Sequence, residues 1–94
     1  MTPETALAMM QDPTRWPLRV VLPLVHATRR DPWDCPAQAF LAYGHGAQLY
    51  LGNVGDFRPG DSSTRARFEL ALERFKSVSY LTLEAVLGDG WRVD

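Results

Sequence analysis

The sequence predicts an α+β fold, and three observations carry that prediction. Two apolar runs between Ala37 and Gly52 flank Gly44-His45-Gly46, and glycine supplies the positive backbone dihedral that a tight hairpin turn requires. Leu18–Val25 is aliphatic and β-branched with alternating parity, the period of a strand. Segments with capping residues and helical spacing lie near both ends of the chain. A length of 94 residues fits one small domain spanning 1–94, burying roughly 60 to 65 per cent of its unfolded surface.

Taken in order, Thr2-Pro3-Glu4 starts a helix: Thr2 caps, Pro3 needs no amide hydrogen at the first position, and Glu4 complements the helix dipole. The spacing predicts a helix over Pro3–Gln11 with Ala6, Leu7 and Met10 on its apolar face. Asp12-Pro13 ends it, because a residue before proline avoids the helical region. Leu18–Val25 follows as a strand with Leu18, Val20, Leu22 and Leu24 on one side. Pro23 has no N–H for a ladder, which predicts an edge position or a bulge. Arg29–Pro36 combines charges with two prolines and reads as a loop of about eight residues.

The central hairpin, Ala37–Gly52, is expected to turn through a three-residue loop that pairs Tyr43 with Ala47, Leu41 with Leu49 and Ala39 with Leu51. This register puts the leucines on one face and leaves Gln38, Phe40, Ala42, Gln48 and Tyr50 on the other. Within Thr64–Lys76, Phe68, Leu70 and Leu72 alternate as in a strand, while Phe68, Ala71, Leu72 and Phe75 share a helical face. The absence of Gly and Pro there, together with several strong helix formers, favours a helix capped by Asp61 or Ser62. Ser77–Leu81 looks extended. Thr82 caps a short helix over Leu83–Leu87, Gly88 suits a left-handed helix end, and Trp91–Val93 forms a C-terminal strand.

A net charge of −1 gives no global attraction to nucleic acid or to anionic membrane. Cys35 is the single cysteine, so no internal disulfide forms, and a reducing, cytoplasmic setting is the simpler expectation. No apolar run approaches the roughly 18 to 20 residues of a membrane span. A thiol enzyme would need Cys35 with His26 or His45 and an acid such as Asp31 or Asp34, but a neighbouring carboxylate raises a thiol's pKa instead of activating it. His26, His45 and Cys35 lack the paired spacing of zinc sites, and Gly44-His45-Gly46 lacks the basic residue and following helix of a phosphate loop. No cofactor is expected. His26 reads as a hydrogen-bonded strand-end residue, His45 as a turn tip, and Trp16 and Trp91 as core anchors.

The residues best suited to binding are Arg29, Arg30 and Trp33, since guanidinium and indole together suit stacking and interface hot spots. Phe40 and Tyr50 would extend that patch if their hairpin face is uncovered; the alternative is that both pack beneath a helix and Trp33 plugs the core edge. The expected activity is that of a protein-interaction or self-associating module, with a protein partner or a homo-oligomer and without enzymatic chemistry. A nucleic-acid reading would use Arg15, Arg19, Arg29 and Arg30 as phosphate contacts.

Overall fold

The structure is a computed structural model that describes residues 2–94. It contains helices α1 (Pro3–Gln11), α2 (Arg65–Leu72) and α3 (Leu83–Gly88), with strands β1 (Val21–Arg30), β2 (Pro36–Ala42), β3 (Gln48–Leu51), β4 (Lys76–Ser79) and β5 (Trp91–Val93). The strands form one antiparallel sheet in the order β4-β3-β2-β1-β5. The fold is α+β.

Both faces of the sheet are covered, as the period of the strands requires when alternate positions are all apolar. On one face Leu22, Leu24, Ala39, Leu41, Leu49 and Trp91 meet Met10 of α1, Val86 of α3 and Trp16 from the connection between α1 and β1. Trp16 is fixed there by an indole N–H bond to the Met9 carbonyl at 2.7 Å. On the other face Val21, Phe40, Ala42 and Tyr50 meet Phe68 and Leu72 of α2, together with Val54, Phe57 and Phe75.

The helix starts follow the expected chemistry. Thr2 and Thr82 cap α1 and α3 by accepting from Thr5 N and Ala85 N. Thr64 caps α2 by accepting from Arg67 N, in place of Asp61 or Ser62. Helix α2 stops at Leu72, short of Lys76, because Lys76–Ser79 pairs with β3. Gly88 is the last residue of α3, and the left-handed position falls at Gly90, φ +102°.

The hairpin register is the expected one at Ala39–Leu51 and Leu41–Leu49. The connection is longer than three residues, because β2 ends at Ala42 and β3 starts at Gln48. Tyr43 N instead bonds Val20 O, and Ala47 O accepts from Tyr80 N.

The first strand departs most from expectation. It runs from Val21 to Arg30 and lies between β2 and β5, so it is not an edge. Leu18 and Val20 do not share the face of Leu22, because Arg19 has φ +63° and turns the chain before the strand begins. Pro23 is accommodated by position: its carbonyl accepts from Asp94 N at the end of β5. Its nitrogen, which has no hydrogen to donate, points to that same side, opposite Asp94 and past the last residue of β5, so no bond within the β1–β5 ladder is lost. Within Arg29–Pro36 the loop is Asp31–Cys35, while Arg29 and Arg30 end β1 and Pro36 starts β2.

Candidate functional site

The distal parts of β1 and β2 form an arm. Ala27–Arg30 and Asp31–Gln38 are mainly exposed. Val25 pairs with Gln38 but Arg30 pairs with Pro36, so β1 carries extra residues at the root of the arm, a bulge that re-aims the strand. Such a bulge leaves backbone N–H groups without ladder partners. Here the buried ring of His26 supplies one: Nδ1 accepts from Thr28 N at 3.1 Å and from Arg29 N at 2.9 Å. With Nδ1 accepting, Nε2 carries the proton and donates to the Asp89 carbonyl at 2.6 Å. His26 is therefore hydrogen-bonded as expected, but from within β1 and not at a strand end, and the ring locks β1 to the turn before β5.

At the tip, the Asp31 carboxylate accepts from Trp33 N at 2.9 Å and from Cys35 N at 3.0 Å. This is an aspartate-stabilised turn, and Asp34 takes φ +61° within it. The Asp31 amide closes the tip by donating to the Cys35 carbonyl at 2.8 Å. The main chain around Trp33 is thus fixed while its indole stands 83% exposed.

Arg29 reaches back to Asp89 at 3.2 Å, and Arg30 is exposed on the shaft. Among the described residues neither guanidinium stacks on Trp33. Asp89 also accepts from Tyr80 Oη at 2.6 Å. That bond, with Arg29 nearby, holds the Asp89 carboxyl below the usual carboxylate range, while burial and the same bond push Tyr80 up. The contribution of Asp89 and Tyr80 to the arm's root was not legible in the sequence, since both lie more than fifty residues from Arg29.

The structure does not bring Phe40 and Tyr50 to this surface. Phe40 is fully buried, stacked with Tyr50 at 5.5 Å between centroids and edge-on to Phe57 and Phe75. The physical reason is that α2 and the Val54–Phe57 segment cover that hairpin face, so the patch reduces to Arg29, Arg30 and Trp33.

A second polar cluster lies under the hairpin turn. His45 Nε2 meets Glu69 Oε2 at 2.8 Å, its Nδ1 lies 3.1 Å from Tyr50 Oη, and Arg65 meets Glu69 at 2.6 Å. Burial, followed by the negative charge of Glu69, pushes Tyr50 above its ordinary value. The hydroxyl therefore keeps its proton and donates to His45, which donates on to Glu69. The cluster ties the hairpin turn to α2. His45 is thus folded against the helix instead of standing free at a turn tip.

The other candidates are dispersed. Cys35 is exposed, with its thiol directed at the Trp33 carbonyl 3.8 Å away. Both ring nitrogens of His26 are occupied at the root of the arm. Arg15 and Arg19 precede β1 while Arg29 and Arg30 end it, and the strand residues Val21–Thr28 between them separate the pairs by roughly 25 Å. Among the described residues no three His, Cys, Asp or Glu side chains converge as metal ligands would, and no helix is long and apolar enough to cross a membrane.

No protein-family model matches the chain, and neither a curated protein nor a solved structure is significantly similar to it.

Proposed function

We propose that the protein is a protein-interaction module that binds through the β1–β2 arm, with Trp33 as the anchor and Arg29 and Arg30 beside it. The observation that carries this reading is the combination at the tip: an indole left almost wholly in water on a main chain that Asp31 and His26 hold still. Leaving a large aromatic exposed forgoes about 1.5–3 kcal/mol of burial, and nothing in the arm recovers it. Rigid presentation lowers the ordering cost of association, and tryptophan and arginine are the side chains that most often dominate interfaces. The two arginine pairs at opposite ends of β1 make a single nucleic-acid track a weaker fit. Exposed Cys35 fits a reducing compartment, where a free thiol persists.

The test is retrieval of a partner from a cell extract by immobilised protein, compared with Trp33→Ala. The expected result is a specific partner whose affinity for the substituted protein falls about thirtyfold or more, the effect of losing an interface hot spot. Equal retrieval by Trp33→Ala, or no specific retrieval by the parent chain, would reject the reading.

A further inference from the structure

The sheet ends on one side at β4, whose residues are all exposed. The direction of each main-chain group follows from the ladder. Tyr80 N donates to Ala47 O across the β3–β4 boundary, so Val78 and Lys76, which share its parity, also turn N–H and C=O toward β3. Ser77 and Ser79 turn theirs outward, to an edge with no Pro and no bulge to block another strand.

We propose that this edge pairs with the same edge of a second copy, antiparallel, giving a symmetric dimer with one sheet continuous through both subunits. The sequence of β4 selects the partner. In an antiparallel self-pair, one register engages both outward serines within the strand: Ser77 opposite Ser79 of the second copy, and Val78 opposite Val78 on the two-fold axis. The serine pairs then sit where each exchanges both N–H···O bonds, and the valines sit at the alternate position, where opposed side chains approach most closely.

The side chains agree with that register. Val78 is 42% exposed and lies on the same sheet face as its partner Leu49. Leu51, also exposed, is its diagonal neighbour on that face, so the axis would gather an apolar strip from both subunits. Lys76 is the one charged residue of β4. It would lie opposite Tyr80 of the second copy, so no like charges meet. Continued outward, the register sets Leu81, 99% exposed, opposite Phe75. An interface of this kind is self-complementary and closes after two copies.

Sedimentation velocity of the full chain, carried up to millimolar concentration, tests the proposal. The parent chain is expected to show a reversible dimer. Val78→Lys sets two like charges face to face on the axis, and Ser79→Pro removes an outward donor without touching the β3 ladder; each should raise the dimer dissociation constant about tenfold or more. Val78→Cys in a Cys35→Ser background should cross-link under mild oxidation, because a closely opposed pair about 4.5 Å apart suits a disulfide. Circular dichroism establishes that each variant is folded, and the cross-link reads the register if Val78→Lys is not. A parent chain that stays monomeric, or a dimer that survives both substitutions without cross-linking, would overturn the proposal. So would a dimer abolished by Trp33→Ala, which would place the contact on the arm.

Discussion

The ring of His26 occupies the space that a side chain at position 90 would need: a Cβ on Gly90 would lie 2.6 Å from its Cε1. Gly90 also has φ +102°, a conformation that L side chains rarely adopt. The two residues are therefore a fitted pair, one filling the bulge of β1 and the other making room for it in the turn before β5.

Replacing Gly90 by Ala should destabilise the protein by about 2–4 kcal/mol, combining backbone strain with overpacking against a buried ring. Gly46→Ala is the control. It also has a positive φ, but nothing lies within 4 Å of the added methyl, so the cost should stay near about 1 kcal/mol. Urea denaturation of the two variants measures the difference.

His26→Ala should cost about 2–4 kcal/mol, from the lost packing against Trp91, 4.9 Å away edge to face, and from the polar groups left without partners. The local signature is more diagnostic than the total. Amide exchange at Thr28 and Arg29 should accelerate well beyond the change in global stability, because those are the N–H groups the ring accepts.

Asp89 and Tyr80 predict a pH response at both extremes. The Asp89 carboxyl is held low, first by the Tyr80 hydroxyl. Its contribution is therefore present above the ordinary aspartate value of about 3.9 and is lost as pH falls through the depressed folded value. Tyr80 is pushed up, so its contribution is present below about 10 and is lost as pH rises through the folded value. In Tyr80→Phe, the Asp89 carboxyl observed by carbon-13 NMR should titrate closer to the ordinary value. An unchanged Asp89 titration would remove the hydroxyl as the cause.

Phe40→Ala and Trp33→Ala should separate core from surface. The first removes a fully buried ring between Tyr50, Phe57 and Phe75 and should cost about 3–5 kcal/mol. The second removes a ring already in water and should change stability by less than about 0.5 kcal/mol. Thermal denaturation followed by circular dichroism reads both.

These contrasts show where the sequence was legible. Pro3–Gln11, the pairing of Leu41 with Leu49, and Trp91–Val93 depend on caps, parity and turn glycines, all of which act within a few residues. Of the two readings of Pro23, an edge or a bulge, the edge fails and β1 carries its bulge beyond Val25, because the cost of a missing donor depends on what stands beside that one residue, here the end of β5. Phe40 stays open between surface and core in the sequence because alternation records that two faces differ, not whether a helix lies over each. Trp33 was placed correctly in an unusual loop, but its exposure rests on Asp31 and on the His26–Asp89 link, and the latter joins residues 63 apart. The Tyr50–His45–Glu69 cluster has no local spacing that could have announced it.

The strand order carries a consequence for assembly. Neighbours β1 to β4 follow one another along the chain, so their pairings close shorter segments than the one by which β5 joins β1 across most of the sequence, and β5 pays the larger closure entropy. Docking of β5 is then expected to be the late event. Because Gly90 and Asp89 arrive with it, His26 finds its seat only at that step, and an incompletely folded chain would carry Trp33 on a slack tether with no fixed orientation to offer.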